Sequence, residues 1–299
     1  MRIVFFGTPE FAVPSLEALA REHEIALVVA QPDRPAGRGM KLHVPPVIVR
    51  ARELGLPVVQ PAKIRNSEFL DEIARLAPDA GIVVAYGKIL PAALLEIPKQ
   101  GFFNVHGSIL PKYRGAAPIQ RAIEAGEQTT GVTIMRVDEE LDHGPMLAIE
   151  TTEIGPDERT PSLAKRLSQI GADALARVLR DMPPETPQDH AQATHAAKIE
   201  KAEGEITFRE PASVIYNRFR AFEPWPGIFY KDLKLTNCHP ERSRGTWAGG
   251  GTILSIDDDL LIACAEGAIR VLEMQRPGKP RARAGDVARG LGWRVGDVL

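Results

Sequence analysis

The sequence predicts an α/β domain with a mostly parallel sheet, followed by a C-terminal OB-like β-barrel domain. Apolar runs that read as buried strands alternate with amphipathic segments in the first half of the chain, which is the pattern of a parallel sheet covered by helices. Short strands with glycine-rich turns occupy the last hundred residues and fit a small barrel. A chain of 299 residues has room for both domains.

The elements of the N-terminal domain follow from these runs. Strands are predicted at 2–6, 25–30, 58–59, 81–85 and 102–105, with helices between them near 14–21, 47–54, 67–76 and 91–96. A helix near 118–125, strands at 131–137 and 146–154, and a long helix that opens at Thr160 extend the domain to residue 182. We therefore assign residues 1–182 to the first domain.

Residues 183–205 contain three prolines, no aromatic residue and only Ile199 among the large aliphatics, so we predict an interdomain linker. The second domain, 206–299, begins with a helix near 212–222. Strands are predicted at 228–231, 252–256, 260–263 and 268–272, and residues 237–245 are interpreted as a loop insertion.

Composition and charge exclude several classes of protein. The formal net charge is −2, and 44% of the residues are hydrophobic. Cys238 and Cys264 are too few for a disulfide framework and have no spacing that suits zinc. No apolar run approaches the roughly 20 residues that span a bilayer, and the N-terminal run is too short for a signal peptide. We expect a cytoplasmic protein with no membrane association, no metal and a monomeric state.

The loop after the first strand argues against three common enzyme classes. Residues 7–11 read Gly-Thr-Pro-Glu-Phe rather than GxGxxG, so a dinucleotide-binding dehydrogenase is disfavoured. The sequence contains no GxxxxGK[ST] and no GxSxG, which disfavours a P-loop enzyme and a serine hydrolase.

Two polar sites are candidates for chemistry. Strand alternation puts Asn104 and His106 on one face at the carboxyl end of a strand, where open α/β sheets bind ligands. An amide donor beside an imidazole suits oxyanion stabilisation with proton transfer, although spacing alone slightly favours purely structural hydrogen bonds. In a second loop, Asp142 could orient the imidazole. His143 competes for the catalytic role but has no evident partner in the sequence.

Residues 103–111, 114–120 and 141–144 together resemble the signature of the folate-dependent formyltransferases. Four further stretches, 7–11, 31–39, 84–87 and 221–227, resemble those members that act on methionyl initiator tRNA. The resemblance covers nearly the whole chain, with its motifs in the family's order.

The resemblance implies transfer of a formyl group from 10-formyltetrahydrofolate to the α-amino group of methionine on initiator tRNA, by a Rossmann-like first domain that needs no metal. It places the catalytic asparagine, histidine and aspartate at Asn104, His106 and Asp142. It places the folate site at Ser108, Ile109, Leu110 and Pro111, with Val84, Ala85, Tyr86 and Gly87 lining the pterin pocket.

Two segments are candidates for binding RNA. The resemblance assigns the basic loop at 32–43 to the tRNA acceptor end, with Arg38 as the principal contact and Arg34 and Lys41 in support. A second stretch, 270–294, holds seven Arg or Lys against two acidic residues and would suit phosphate contacts. The family pattern is broken at Lys112, where arginine is more usual, and at His143, where threonine is common.

Three other functions stay open at this point. A formyltransferase for a small amine would share the catalytic trio but would not need the basic loop or the barrel. A hydrolase that removes formyl from the folate would also share the trio. A non-catalytic RNA-binding protein would keep the barrel on a degenerate enzyme domain, which the intact trio disfavours.

Overall fold

The computed structural model describes residues 1–36, 41–241 and 250–299. Its strands are β1 (Arg2–Gly7), β2 (Glu24–Val29), β3 (Arg34–Ala36), β4 (Lys41–His43), β5 (Val58–Val59), β6 (Ala80–Val84), β7 (Phe102–His106), β8 (Arg114–Gly115), β9 (Thr129–Arg136), β10 (Met146–Glu153), β11 (His195–Ala196), β12 (Ile228–Tyr230), β13 (Leu233–Glu241), β14 (Ile253–Ile256), β15 (Leu260–Ala263), β16 (Ala268–Gln275) and β17 (Arg281–Arg283). Its helices are α1 (Val13–Glu22), α2 (Pro46–Glu53), α3 (Ser67–Arg75), α4 (Ala92–Leu95), α5 (Pro118–Glu124), α6 (Thr160–Asp181), α7 (Ala212–Ala221) and α8 (Ala284–Gly290).

The described residues form two compact units. The first consists of Met1–Pro118, Thr129–Glu153 and Leu163–Ala197, and the second of Ile119–Gln128, Ile154–Ser162 and Lys198–Leu299. Within these residues, no helix combines the length and the apolar character that crossing a membrane requires.

The first unit is built on a seven-stranded sheet in the order β10-β9-β7-β6-β1-β2-β5. The five strands from β7 to β5 in this order pair in parallel, whereas β9 and β10 are antiparallel. The predicted mostly parallel sheet is therefore confirmed. From β1 the chain adds β2 and β5 on one side, and it then crosses to add β6 on the other side of β1. The strand order therefore reverses between β1 and β6. Open α/β sheets bind ligands at such a reversal.

The apolar strand residues predicted to be buried form the core of this unit. Phe6 on β1 is fully buried and meets Phe69, Tyr86 and Phe102 edge-on, with ring centroids 5.2–6.4 Å apart. Edge-to-face aromatic pairs contribute about 0.5–1.5 kcal/mol each beyond their buried area. These contacts fix β1, β7 and the loop after β6 against one another on one side of the sheet.

Residues 183–197, predicted as part of a linker, are held on the first unit. Thr186 and Met146 exchange both backbone hydrogen bonds at 2.8 Å, and β11 pairs in parallel with β8. Composition did not reveal this because backbone hydrogen bonds rather than apolar side chains hold the segment. The boundary between the units on this part of the chain falls between residues 197 and 198.

The second unit carries an antiparallel sheet in the order β12-β13-β16-β15-β14, with β17 also paired to β16. The OB-like antiparallel domain is confirmed, although among the described residues β12 and β14 do not pair to close a barrel. Asn237–Glu241, read from the sequence as the start of an insertion, instead completes β13. Residues 242–245 of that segment lie outside the described residues.

Candidate active site

Asn104 and His106 lie at the carboxyl end of β7, beside β6 on one side and β9 on the other. They are two residues apart on one strand, so their side chains project from the same face of the sheet. His106 is buried and Asn104 is partly exposed. Strand alternation therefore presents an amide and an imidazole side by side.

The backbone fixes the tautomer of His106. Its Nε2 lies 2.9 Å from the carbonyl oxygen of Tyr113, and because a carbonyl only accepts, Nε2 carries the hydrogen of this bond. The other ring nitrogen, Nδ1, lies 3.6 Å from Oδ2 of Asp142. Nδ1 is thus the nitrogen that can gain or lose a proton, and it faces a carboxylate.

Asp142 lies in the turn between β9 and β10 and has a left-handed backbone conformation, with φ of +50°. Its Oδ2 accepts a hydrogen bond of 2.8 Å from the backbone N–H of Gly115, and its Oδ1 accepts from Nδ2 of Asn104 at 3.4 Å. The structure therefore brings the predicted trio together in one site, with the carboxylate between the amide and the imidazole.

The predicted folate loop, 108–111, is held by one hydrogen bond to the residue that follows it and by two hydrogen bonds to Thr133 on β9. The buried Ser108 hydroxyl donates to the carbonyl of Lys112 at 2.7 Å. Thr133 on β9 donates to the carbonyl of Ser108 at 2.7 Å and accepts from the N–H of Leu110 at 3.1 Å. Since the Ser108 hydroxyl is used within the loop, Ile109 and Pro111, both partly exposed, are the members that remain open to contact.

The second predicted folate segment, 84–87, includes the last residue of β6 and the loop after it, where the strand order of the sheet reverses. The Tyr86 side chain turns into the core, where burial raises its pKa to about 12 and its hydroxyl has no partner among the described residues. The Tyr86 carbonyl accepts from Thr8 Oγ1 and Gln31 Nε2, both at 3.2 Å. This segment therefore exposes Ala85 and Gly87 rather than an aromatic ring, and the Tyr86 carbonyl ties together the loops that follow β1, β2 and β6.

The structure resolves the predicted acceptor-end loop in part. Arg34 begins β3 and donates from Nη2 to Oε1 of Gln31 at 3.3 Å, and Lys41 begins β4. Arg38, the principal predicted contact, lies outside the described residues.

His143, for which the sequence offered no partner, has two. Its Nδ1 lies 2.7 Å from Oδ2 of Asp138, and its ring stacks on His190 with centroids 4.1 Å apart. These contacts occupy Nδ1 and one face of the ring, and neither partner belongs to the trio of Asn104, His106 and Asp142. Within the described ranges, no group of three or more His, Cys, Asp or Glu side chains could hold a metal ion.

Sequence reasoning missed one residue at this site. The side chain of Gln188 is buried and hydrogen-bonds to the turn that carries Asp142. No signal in the sequence could have found it, because it lies in a segment poor in aliphatic residues and its partners are backbone carbonyls more than forty residues away.

Both parts of the chain match described families. The Formyl transferase family matches residues 1–179, and the Formyl transferase, C-terminal domain family matches residues 198–292. A methionyl-tRNA formyltransferase of Rhizorhabdus wittichii is 47% identical over 100% of this chain and 98% of the relative. One of Sorangium cellulosum is 44% identical over 100% of this chain and 99% of the relative.

The fold is also found in a solved structure. The crystal structure of WlaRD, a sugar 3N-formyl transferase determined in the presence of dTDP and 5-N-formyl-THF, superimposes with a TM-score of 0.70. The match covers 94% of this chain and 99% of that chain at 18% identity, which shows a shared fold.

Proposed function

Because the chain belongs to the formyl transferase family, we propose that it transfers the formyl group of 10-formyltetrahydrofolate to the α-amino group of methionyl initiator tRNA. The single observation that carries the chemistry is the trio of Asn104, His106 and Asp142, in which the carboxylate lies within 3.6 Å of both partners. Similarity over the full length to methionyl-tRNA formyltransferases supports the tRNA substrate over a small amine.

The neutral amine attacks the formyl carbon, and the carbonyl oxygen becomes an oxyanion. Asn104 Nδ2 has two hydrogens, of which one faces Asp142 and the other is available to donate to this oxyanion. Removing one such donor costs about 3–4 kcal/mol of transition-state stabilisation. We therefore assign the oxyanion to Asn104, with the positive charge of protonated His106 in support.

The attacking nitrogen must lose a proton and the departing folate nitrogen must gain one. His106 holds Nε2–H on Tyr113, so the proton from the amine is taken up at Nδ1, where Asp142 stabilises the resulting imidazolium. As the bond from the formyl carbon to the folate nitrogen breaks, the same proton passes to that nitrogen. General acid–base assistance of this kind contributes about 10²–10⁴-fold to the rate.

We place the folate donor against residues 108–111 and the exposed backbone of Ala85 and Gly87. Gly87 has φ of +83° and open space where a side chain would be, so a ligand can approach the backbone there. The hydrogen bonds of Thr133 hold the first loop in place before the ligand arrives.

We place phosphate contacts of the tRNA on the basic hairpin, defined by Arg276 and Lys279 in the turn between β16 and β17 and by Arg281, the first residue of β17. All three are exposed and have no ion pair among the described residues. Arg270, Arg283 and Arg289 are each paired with a carboxylate, and Arg270 lies within 2.7 Å of both Glu241 and Asp259. Three of the four cations of the stretch that have no ion pair among the described residues therefore lie on the hairpin, the fourth being Arg294. Arg34, Arg38 and Lys41 in the first unit are separate proposed contacts.

The proposed function is tested with purified protein and 10-formyltetrahydrofolate. The acceptors are methionyl initiator tRNA, uncharged tRNA and a set of small amines, and the formylated product is measured. We expect product only with the charged tRNA. Formylation of a small amine alone, or release of formate without an acceptor, would assign the chain to one of the alternative functions.

The basic hairpin is tested by replacing its three cations with alanine. If each contacts one phosphate, the slope of log KM for tRNA against log salt falls by about 0.9 per contact, while kcat is retained. Arg289→Ala is the matched control, because this exposed arginine is paired with Asp286 at 2.6 Å. An unchanged salt slope in the triple variant contradicts the assignment.

A further inference from the structure

We propose that Gln188 is a positioning residue for the reaction: its side-chain amide holds the turn that carries Asp142 and so sets the carboxylate against His106 and Asn104. The inference rests on the proposed function, because the reaction is what this positioning serves.

Every hydrogen-bonding position of the Gln188 amide is occupied. Its Nε2 donates to the carbonyl of Asp142 at 2.9 Å and to the carbonyl of Gly144 at 2.8 Å. Its Oε1 accepts from Nε of Arg114 at 3.1 Å and from Nη2 at 2.7 Å. A primary amide offers two donor hydrogens and one oxygen with two lone pairs, so none is left over.

Arg114 decides which end of the amide faces the turn. A guanidinium only donates and a backbone carbonyl only accepts. If the amide were reversed, its NH2 group would face the guanidinium of Arg114 and its oxygen would face the two carbonyls, so neither end could form a hydrogen bond. Arg114 also precedes Gly115, whose N–H binds the carboxylate of Asp142 at 2.8 Å. The strand β8 therefore holds Asp142 twice, once directly at its carboxylate and once at its carbonyl through Gln188.

The turn needs such support because of its backbone. Asp142 has φ of +50°, a conformation that carries a steric cost for any residue with a side chain. Conformations of this kind persist where the surrounding contacts over-determine them. The two bonds from Gln188, on either side of His143, supply contacts of that kind.

A role limited to anchoring residues 183–197 is less consistent with the contacts. The segment already has its own backbone anchors, the paired hydrogen bonds of Thr186 with Met146 and the pairing of β11 with β8. Gln188 lies between these two anchors, so the segment is held without its side chain. The amide of Gln188 is therefore free to serve the turn, to which it donates two hydrogen bonds.

The test substitutes Gln188→Glu, which preserves size and the acceptor for Arg114 but turns an oxygen toward the two carbonyls. We expect kcat for methionyl-tRNA to fall about 10- to 100-fold, as for a small misplacement of a reacting group, with KM for the folate donor within about twofold of wild type. The matched control is Gln192→Ala in the same segment, because its exposed side chain donates to Asp189 and not to the turn; kcat should be unchanged. Unchanged kcat in a folded Gln188→Glu protein overturns the proposal.

A second measurement separates positioning from general destabilisation. In the background of Asp142→Ala, we expect Gln188→Glu to cause no further loss of kcat, because its effect passes through Asp142. Losses that multiply would overturn the proposal. If Gln188→Glu does not fold, Gln188→Met, of similar length and without a donor, takes its place in the same comparison.

Hydrogen exchange tests the hold on the turn without any substrate. Backbone amides of residues 138–144 should exchange faster in Gln188→Glu than in wild type, with no change in β1 or β6. Equal exchange would overturn the proposal even if the wild type formylates methionyl-tRNA. A wild type that formylates no tRNA would refute the proposed function, and the exchange result would still decide whether Gln188 holds the turn.

Discussion

Asp142→Asn removes the negative charge of the side chain while nearly preserving its size and shape. In the folded protein, the amide oxygen of asparagine can keep the hydrogen bond from the Gly115 N–H, now 2.8 Å long. The amide nitrogen of the new asparagine then faces Nδ2 of Asn104, and both nitrogens are donors. The 3.4 Å hydrogen bond from Asn104 is therefore lost. The fold should survive this change, whereas the negative charge beside His106 is removed.

The magnitude follows from the distance between His106 and Asp142. Opposite unit charges 3.6 Å apart attract by about 4–5 kcal/mol at an effective dielectric constant of about 20. Both side chains are largely buried, at 6% and 12% exposed, so solvent screens the pair little. If the imidazolium forms in the transition state, loss of this attraction lowers kcat by about 10³-fold, since each 1.36 kcal/mol is a factor of about ten.

The assay measures kcat for methionyl initiator tRNA at saturating folate donor, together with the thermal midpoint of each variant. Glu139→Gln is the matched control, because it removes one negative charge from the same loop at an exposed side chain. We expect the control to retain wild-type kcat. A folded Asp142→Asn protein with kcat within about threefold of wild type would refute the proton relay and leave Asp142 with a structural role.

Two further predictions concern the thiols and the glycines. Burial raises the pKa of Cys238 and Cys264 to about 12, so neither should react with a disulfide reagent at pH 8 until the protein is unfolded in urea. Since the folded state holds these protons more tightly, the free energy of unfolding should fall as pH rises from about 9 to 12, measured by urea titration. A Cβ at Gly144 would lie 2.3 Å from the carbonyl oxygen of Arg136, so Gly144→Ala should cost about 1–3 kcal/mol by the same method. Gly290→Ala meets open space at the end of α8 and should be neutral or stabilising; equal losses at both glycines would contradict the steric argument.

Local patterns in the sequence are sufficient to predict the sheet and half of the candidate site. The apolar runs of β1, β2, β6 and β7 are buried as expected, and alternation along β7 correctly places Asn104 and His106 on one face. The approach of Asp142 depends on the turn between β9 and β10, which periodicity does not determine. The residues offered Asp142 as a carboxylate that could orient the imidazole, and the family resemblance assigned it to the catalytic trio; the roles of the three residues stay predictions.

The remaining features depend on contacts that leave no local pattern. The amide nitrogen of Gln188 donates to two backbone carbonyls. Because every residue has a carbonyl, the sequence does not indicate which residues Gln188 contacts. Residues 237–245 were interpreted as a loop insertion, yet Pro240, which cannot donate a backbone hydrogen bond, lies in β13 opposite Ile269 of β16. β12 pairs with β13 only from Leu233 to Leu235. Pro240 lies beyond this pairing, so β12 offers no carbonyl that would need a backbone N–H at Pro240.

The hydrogen bonds of Gln188 also determine when the site is complete as the chain is synthesised. Asp142 and Gln188 are 46 residues apart, and the segment that carries Gln188 is the last part of the first unit to be made. At about 5–20 residues per second, it follows the turn by a few seconds. A nascent chain that ends before residue 188 can contain all seven strands of the first sheet while Asp142 is still held from one side only. Assembly of this site is therefore tied to the end of the unit's synthesis rather than to formation of its sheet.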